Sequence, residues 1–183
     1  MKITAVRPVA VRVPVKKIGQ FSQARRTHVE RTIVEVETDE GITGFGETRT
    51  LEAARIVAQR FASELVGEDL DDLAKLRRRC LSDLFDFGYP EVLTLWNAYA
   101  AIDLALWDIL GKRSGLPVYS LLGGACRERA RYVSYEYTVD PYDNVPEGEI
   151  PRRIAENAAA SMAEHGTSYI EFKVGVYSVD CDI

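Results

Sequence analysis

Tyr169-Ile170-Glu171-Phe172-Lys173-Val174-Gly175 is the stretch on which the architecture turns. Residues 169–174 read as a strand that carries one lysine to its C-terminal tip, where the chain turns on a glycine. Just upstream, 149–165 reads as a helix. Pro151 suits its first turn, Ile150, Ile154, Ala158 and Met162 share a face, and Gly166 stands at the C-cap. His165 falls in the last turn, where a cation meets the negative end of the helix dipole. Further back, 131–139 is β-rich, and a linker with Pro141, Pro146 and Gly148 follows. Strand, helix, strand is a βαβ unit, with parallel pairing and a right-handed crossover. Two strands cannot be covered on both faces as such a unit requires. The expectation is therefore the start of a (β/α)8 barrel, truncated here.

The first two thirds of the chain have a different grammar. Ile3, Ala5, Val9, Val11 and Val13 share one parity, interrupted by Arg7, as in a half-buried strand. Residues 16–30 (KKIGQFSQARRTHVE) are polar and basic without a period and read as a long loop. Thr32, Val34, Val36 and Thr38 alternate with Ile33, Glu35 and Glu37, and Asp39-Glu40-Gly41 is turn chemistry before a return strand at 42–47. Helices are expected at 51–66, at 70–84 and, most strongly, at 91–112. There Leu95, Trp96, Tyr99, Ile102, Leu106, Ile109 and Leu110 recur at steps of three and four. A small sheet followed by helices is an α+β domain.

Composition excludes several classes of function. The 183 residues are 46% hydrophobic, enough for a core. With 23 basic against 28 acidic residues the net charge is −5, so nucleic acid is not an expected partner. No apolar run approaches the ~20 residues that span a bilayer, and charges and prolines break the N-terminus as no signal peptide would allow. A cytoplasmic location is expected. Cys80, Cys126 and Cys181 are odd in number and far apart, which suits reduced thiols better than a disulfide framework. Two histidines, His28 and His165, are too few for a histidine-based zinc site.

Few residues invite chemistry. Gly41-Ile42-Thr43-Gly44-Phe45-Gly46 looks like a phosphate loop, but its glycines fall in a hairpin and not between a strand and a helix. Lys173 is either an ordinary strand-end lysine or a general base, its pKa lowered by neighbouring cations or a metal. The 16–30 segment is either a solvated basic loop or a lid over an anionic substrate. Trp96 and Tyr99 read as helix core. Asp103 and Asp108 diverge around the helix axis and cannot form a carboxylate pair.

Three motifs in order resemble the mandelate racemase and muconate lactonizing group of the enolase superfamily: residues 31–47 (RTIVEVETDEGITGFGE), residues 101–112 (AIDLALWDILGK) with Gly115-Leu116-Pro117-Val118 and Leu121-Leu122-Gly123-Gly124, and Phe172-Lys173-Val174-Gly175. The resemblance implies an α+β capping domain at 1–125 and the first βαβ unit of a modified (β/α)8 barrel at 126–183. It implies abstraction of the proton α to a carboxylate, with Mg²⁺ stabilising the enediolate. Lys173 matches the second lysine of the family's Lys-x-Lys motif, the base. Glu171 replaces the first lysine, and an ion pair with it would raise the pKa of Lys173. The metal carboxylates belong to the third to fifth barrel strands, so no metal ligand is expected in residues 1–183. The first motif and Tyr135-Glu136-Tyr137 resemble acid-sugar dehydratases of the glucarate type. That makes 16–30 a specificity lid and Arg25, His28 and Tyr137 candidate contacts to a small carboxylate or acid-sugar substrate. A homo-oligomer is expected. Racemases and cycloisomerases share this front end, and a non-catalytic α+β binding or oligomerisation module is the alternative from another class.

Overall fold

The computed structural model describes residues 1–21, 24–81, 90–137, 139–173 and 175–177. Two compact units emerge: residues 1–13 with 30–126, and residues 14–29 with 127–183.

The first unit is built on a three-stranded sheet of order β1 (Ile3–Phe21), β2 (Ala24–Thr38) and β3 (Thr43–Arg49). Strands β2 and β3 are antiparallel, with Val34 opposite Gly46 and Val36 opposite Gly44. The alternation at 32–38 is explained by burial. Thr32, Val34, Val36 and Thr38 face the core, and the two threonine hydroxyls donate to the carbonyls of Thr50 (2.6 Å) and Ile42 (2.9 Å). Residues 16–30 are not the loop expected from sequence: most of them are paired as the far ends of β1 and β2. Residues 25–28 are exposed, so nothing in their side chains needs to alternate. Paired backbone without a buried face leaves no period to read.

A helical stretch over 52–65 follows, α1 (Glu52–Ile56) and α2 (Ala62–Leu65) being joined by a π-type turn at Val57–Phe61. Val57 and Phe61 are both fully buried there. The next helix, α3 (Leu73–Leu81), starts three residues later than its apolar pattern suggested. Asp72 explains this: its carboxylate accepts the Lys75 N–H (2.9 Å) as an N-cap, leaving Leu70 in the preceding turn but still buried. The end of the expected 70–84 helix lies outside the described residues.

The long helix α4 (Pro90–Ser114) covers the sheet. Ala98, Tyr99, Ala101, Ile102, Ala105, Leu106 and Ile109 are buried with Val34, Val36, Phe61 and Leu76 in one core. Trp96 packs against this core, and Arg77 stacks on its ring at 5.5 Å. Approach between α4 and β3 is close. A Cβ placed on Gly44 would lie 2.1 Å from the Ala105 carbonyl oxygen, and one on Gly46 would lie 1.9 Å from that of Ala101. These two glycines therefore serve packing and not a phosphate. A short helix, α5 (Val118–Leu121), closes the unit.

Both outer edges of the sheet carry partners. On β3, the Phe45 N–H donates to Asp108 (2.9 Å), and Lys112 Nζ bridges the Thr43 carbonyl (2.7 Å) and Asp108 (2.8 Å). Asp108, set aside above as a catalytic carboxylate, is an edge clip. At the start of β1, Ile3 exchanges backbone hydrogen bonds with the 67–68 segment at 2.8 and 3.0 Å.

The second unit contains β4 (Ser134–Glu136), α6 (Ile150–His165) and β5 (Ile170–Phe172). The two strands are parallel, with Tyr135 opposite Glu171. Both are shorter than their β-rich runs, since a strand extends only where it has a ladder partner. Helix α6 ends on Gly166 at φ +64°, as its C-cap chemistry requires, and His165 Nδ1 lies 2.8 Å from the Ser161 carbonyl. A small core of Val139 and Ile150, flanked by Val145, Ile154 and Tyr177, holds the β4–α6 connection. The Tyr177 hydroxyl donates to the Val139 carbonyl at 2.9 Å.

Candidate active site

Period two sorts the side chains of β4 and β5 onto two faces. Ser134 is buried toward α6: its hydroxyl donates to the Ser161 carbonyl (3.4 Å) and hydrogen-bonds Thr167. Tyr135, Tyr137, Glu171 and Lys173 therefore stand on the face turned away from α6. In a closed (β/α)8 barrel that face points inward.

Lys173 sits one residue beyond β5. Its backbone N–H donates to the Glu136 carbonyl at 3.2 Å, which fixes it at the C-terminal end of the ladder. Active sites of such barrels lie at that end. The Lys173 ammonium donates to Glu171 (2.8 Å) and lies 5.2 Å from the centre of the Tyr135 ring. The Tyr135 and Tyr137 rings meet edge to face at 5.1 Å. The hydrogen bond from Lys173 to Glu171, followed by that to Tyr135, raises the lysine pKa above its ordinary value. Lys173 is thus held as a cation in this arrangement.

Arg25 is already engaged. Its Nε donates to Asp140 Oδ2 at 2.8 Å, and its guanidinium lies 4.8 Å from the centre of the Tyr142 ring. His28 is exposed, and its Nδ1 lies 3.2 Å from the neighbouring Thr27 hydroxyl. Three residues apart on one strand, Arg25 and His28 occupy opposite faces. The fold brings Lys173 and the two tyrosines together. It ties Arg25 to the turn after β4 and does not place His28 beside it. Asp140 and Tyr142 were missed by sequence reasoning. Asp140-Pro141 does signal a turn, but nothing local shows what that turn binds.

No group of three or more His, Cys, Asp or Glu residues gathers among the described residues in a way that could hold a metal ion. Among the described residues no helix is long and apolar enough to cross a membrane. Cys80 is buried and Cys126 exposed, both as free thiols, and Cys181 lies outside the described residues.

A sheet capped by helices, followed by a βαβ unit with a lysine at its strand tip, defines the front of an enolase-superfamily chain. More narrowly, this chain belongs to the mandelate racemase and muconate lactonizing enzyme family: residues 3–123 match the model of that family's N-terminal domain. A D-galactonate dehydratase of Ralstonia pickettii is 42% identical over 56% of this chain and 27% of its own length. An N-succinyl-L-Arg/Lys racemase of Bacillus cereus is 31% identical over 96% of this chain and 45% of its own. A crystal structure of an enolase from Streptomyces coelicolor superposes with a TM-score of 0.85 and 32% identity, covering 100% of this chain and 47% of that one. The chain spans less than half the length of the curated relatives it matches. These relatives include both dehydratases and racemases.

Proposed function

We propose that residues 1–183 are the front of an enzyme that removes the proton α to a carboxylate, and that its reaction is dehydration of an acid sugar. The observation that carries this reading is the placement of Lys173. It stands at the C-terminal end of the parallel pair, on the face away from α6, beside Tyr135 and Glu171. Similarity to D-galactonate dehydratases supports the substrate class.

In this reading Mg²⁺ supplies charge for the enediolate, and its carboxylates come from outside residues 1–183. Lys173 accepts the α-proton only after losing its own, which the Glu171 contact opposes. Until then its ammonium suits an anchor for the substrate carboxylate. Tyr137 lines the same face and would contact the sugar, as would His28 from the 16–30 segment. The assembled enzyme is a cytoplasmic homo-oligomer in this proposal, with 1–125 as cap and 126–183 as barrel start.

A second reading has its own support. The racemase similarity extends over nearly the whole chain. The same proton abstraction followed by return of a proton to the other face would give racemisation or epimerisation.

Intact mass of the purified natural protein comes first. A mass near 20.5 kDa would leave the metal carboxylates unsupplied and favour a non-catalytic module. A mass about twice that supports the enzyme reading, because this chain covers 47% of a solved relative. Acid sugars are then incubated with Mg²⁺ in D₂O. Loss of water supports the dehydratase, and α-deuteration without loss of water supports the racemase. Equal rates for wild type and Lys173→Met would overturn the role of Lys173 in either.

A further inference from the structure

We propose that Arg25 is a positioning residue that fastens the arm, described at residues 14–21 and 24–29, onto the turn after β4. The inference uses the reading above only for what the arm is for; the fastening itself stands on geometry.

Residues 14–29 extend the strands of the first unit, yet they group compactly with 127–183. A two-stranded ribbon is marginal by itself. Something must hold it, and one contact spans 115 residues of sequence to do so.

Asp140 is prepared for that contact. Its side chain is only 11% exposed, and both its oxygens are used: Oδ2 takes Arg25 Nε at 2.8 Å and Oδ1 takes the Tyr142 N–H at 3.1 Å. Pro141 fixes the first position of the turn, so the carboxylate is aimed before Arg25 arrives. Burial alone would raise the Asp140 pKa. The Tyr142 N–H and Arg25 outweigh it and hold the carboxyl below the ordinary range.

The guanidinium uses its edge for Asp140 and its face for Tyr142, a pairing that lysine's point charge cannot reproduce. The Nε contact and the stacked ring fix where this side chain lies. The turn lies beyond the C-terminal end of β4, the end at which Lys173 stands, so the fastened arm is held at that end.

The test is amide hydrogen exchange on the 183-residue chain, read in peptides covering 24–30. Arg25→Ala and Asp140→Asn should each speed exchange there by about fivefold or more, with exchange in 98–109 unchanged. The double variant should be no faster than either single one. Arg25→Lys keeps the charge but not the edge-and-face pairing and should speed exchange nearly as much as Arg25→Ala. Unchanged exchange in Arg25→Ala would overturn the fastening. No catalysis enters the readout, so a failed dehydratase assay leaves this result intact, and the reverse also holds.

Discussion

The two units use the same elements to different ends. In the first, each outer strand of the sheet has a partner: Asp108 and Lys112 serve β3, and the 67–68 segment serves the start of β1. In the second, β4 and β5 pair only with each other among the described residues, and Tyr132 (79%) and Tyr169 (65%) are largely exposed. In the first unit Thr32, Thr38, Asp108 and Lys112 all bond backbone groups of the sheet or its flanking turns. The second keeps Lys173, Glu171, Tyr135 and Tyr137 on an open face.

The sharpest way to break this contrast is to enlarge Gly46. In Gly46→Ala the new methyl meets a carbonyl of α4, which should cost ~3 kcal/mol. The melting point of the first unit should fall on the order of 10 °C. Trp96 and Trp107 both lie on α4, so tryptophan fluorescence during melting reads this unit. An unchanged melting point would mean that the close approach is not real.

Thiol labelling separates buried from open more gently. Burial pushes the Cys80 thiol up to about 12. At pH 8 it should react with a maleimide more slowly than exposed Cys126 by at least about a hundredfold. Gly46→Ala should narrow that ratio.

Asp108→Ala removes the edge clip and leaves the Phe45 N–H to water. A loss of about 1 kcal/mol is expected by urea unfolding, at the low end for a charged acceptor because Asp108 is one-third exposed. No loss would make the clip incidental.

The smallest effect on stability, and the most specific, is Glu171→Gln. Without the carboxylate that raises it, the Lys173 pKa should drop. Its amine then becomes nucleophilic at lower pH, and the midpoint of an amine-labelling profile for Lys173 moves down. An unmoved midpoint would remove Glu171 from the account of Lys173.

Wherever one face is buried, the sequence could be read. The alternation at 32–38, the three-and-four spacing along α4 and the α6 run ending on Gly166 all record a core on one side. Lys173 was legible because a strand tip is a position that local pattern defines. What stayed unread in the sequence shares a cause. Residues 25–28 are exposed, so a paired ribbon looked like a loop. Asp108 and Gly44 act on a neighbour more than fifty residues away, and Arg25 on one 115 residues away. No local period encodes such a partner.

The paired glycines also act as a ruler. Gly44 meets Ala105 and Gly46 meets Ala101, so helix and strand run in opposite directions along the contact. Four residues of helix rise about 6.0 Å and two residues of strand about 6.6 Å. The two repeats nearly coincide, and the small residues fall into step at both points. A deletion or insertion of one residue between Ala101 and Ala105 would put a bulkier side chain opposite one notch. Because each notch faces a backbone carbonyl, no smaller side chain on the helix can make room for a larger one on the strand, and both spacing and glycine are held together.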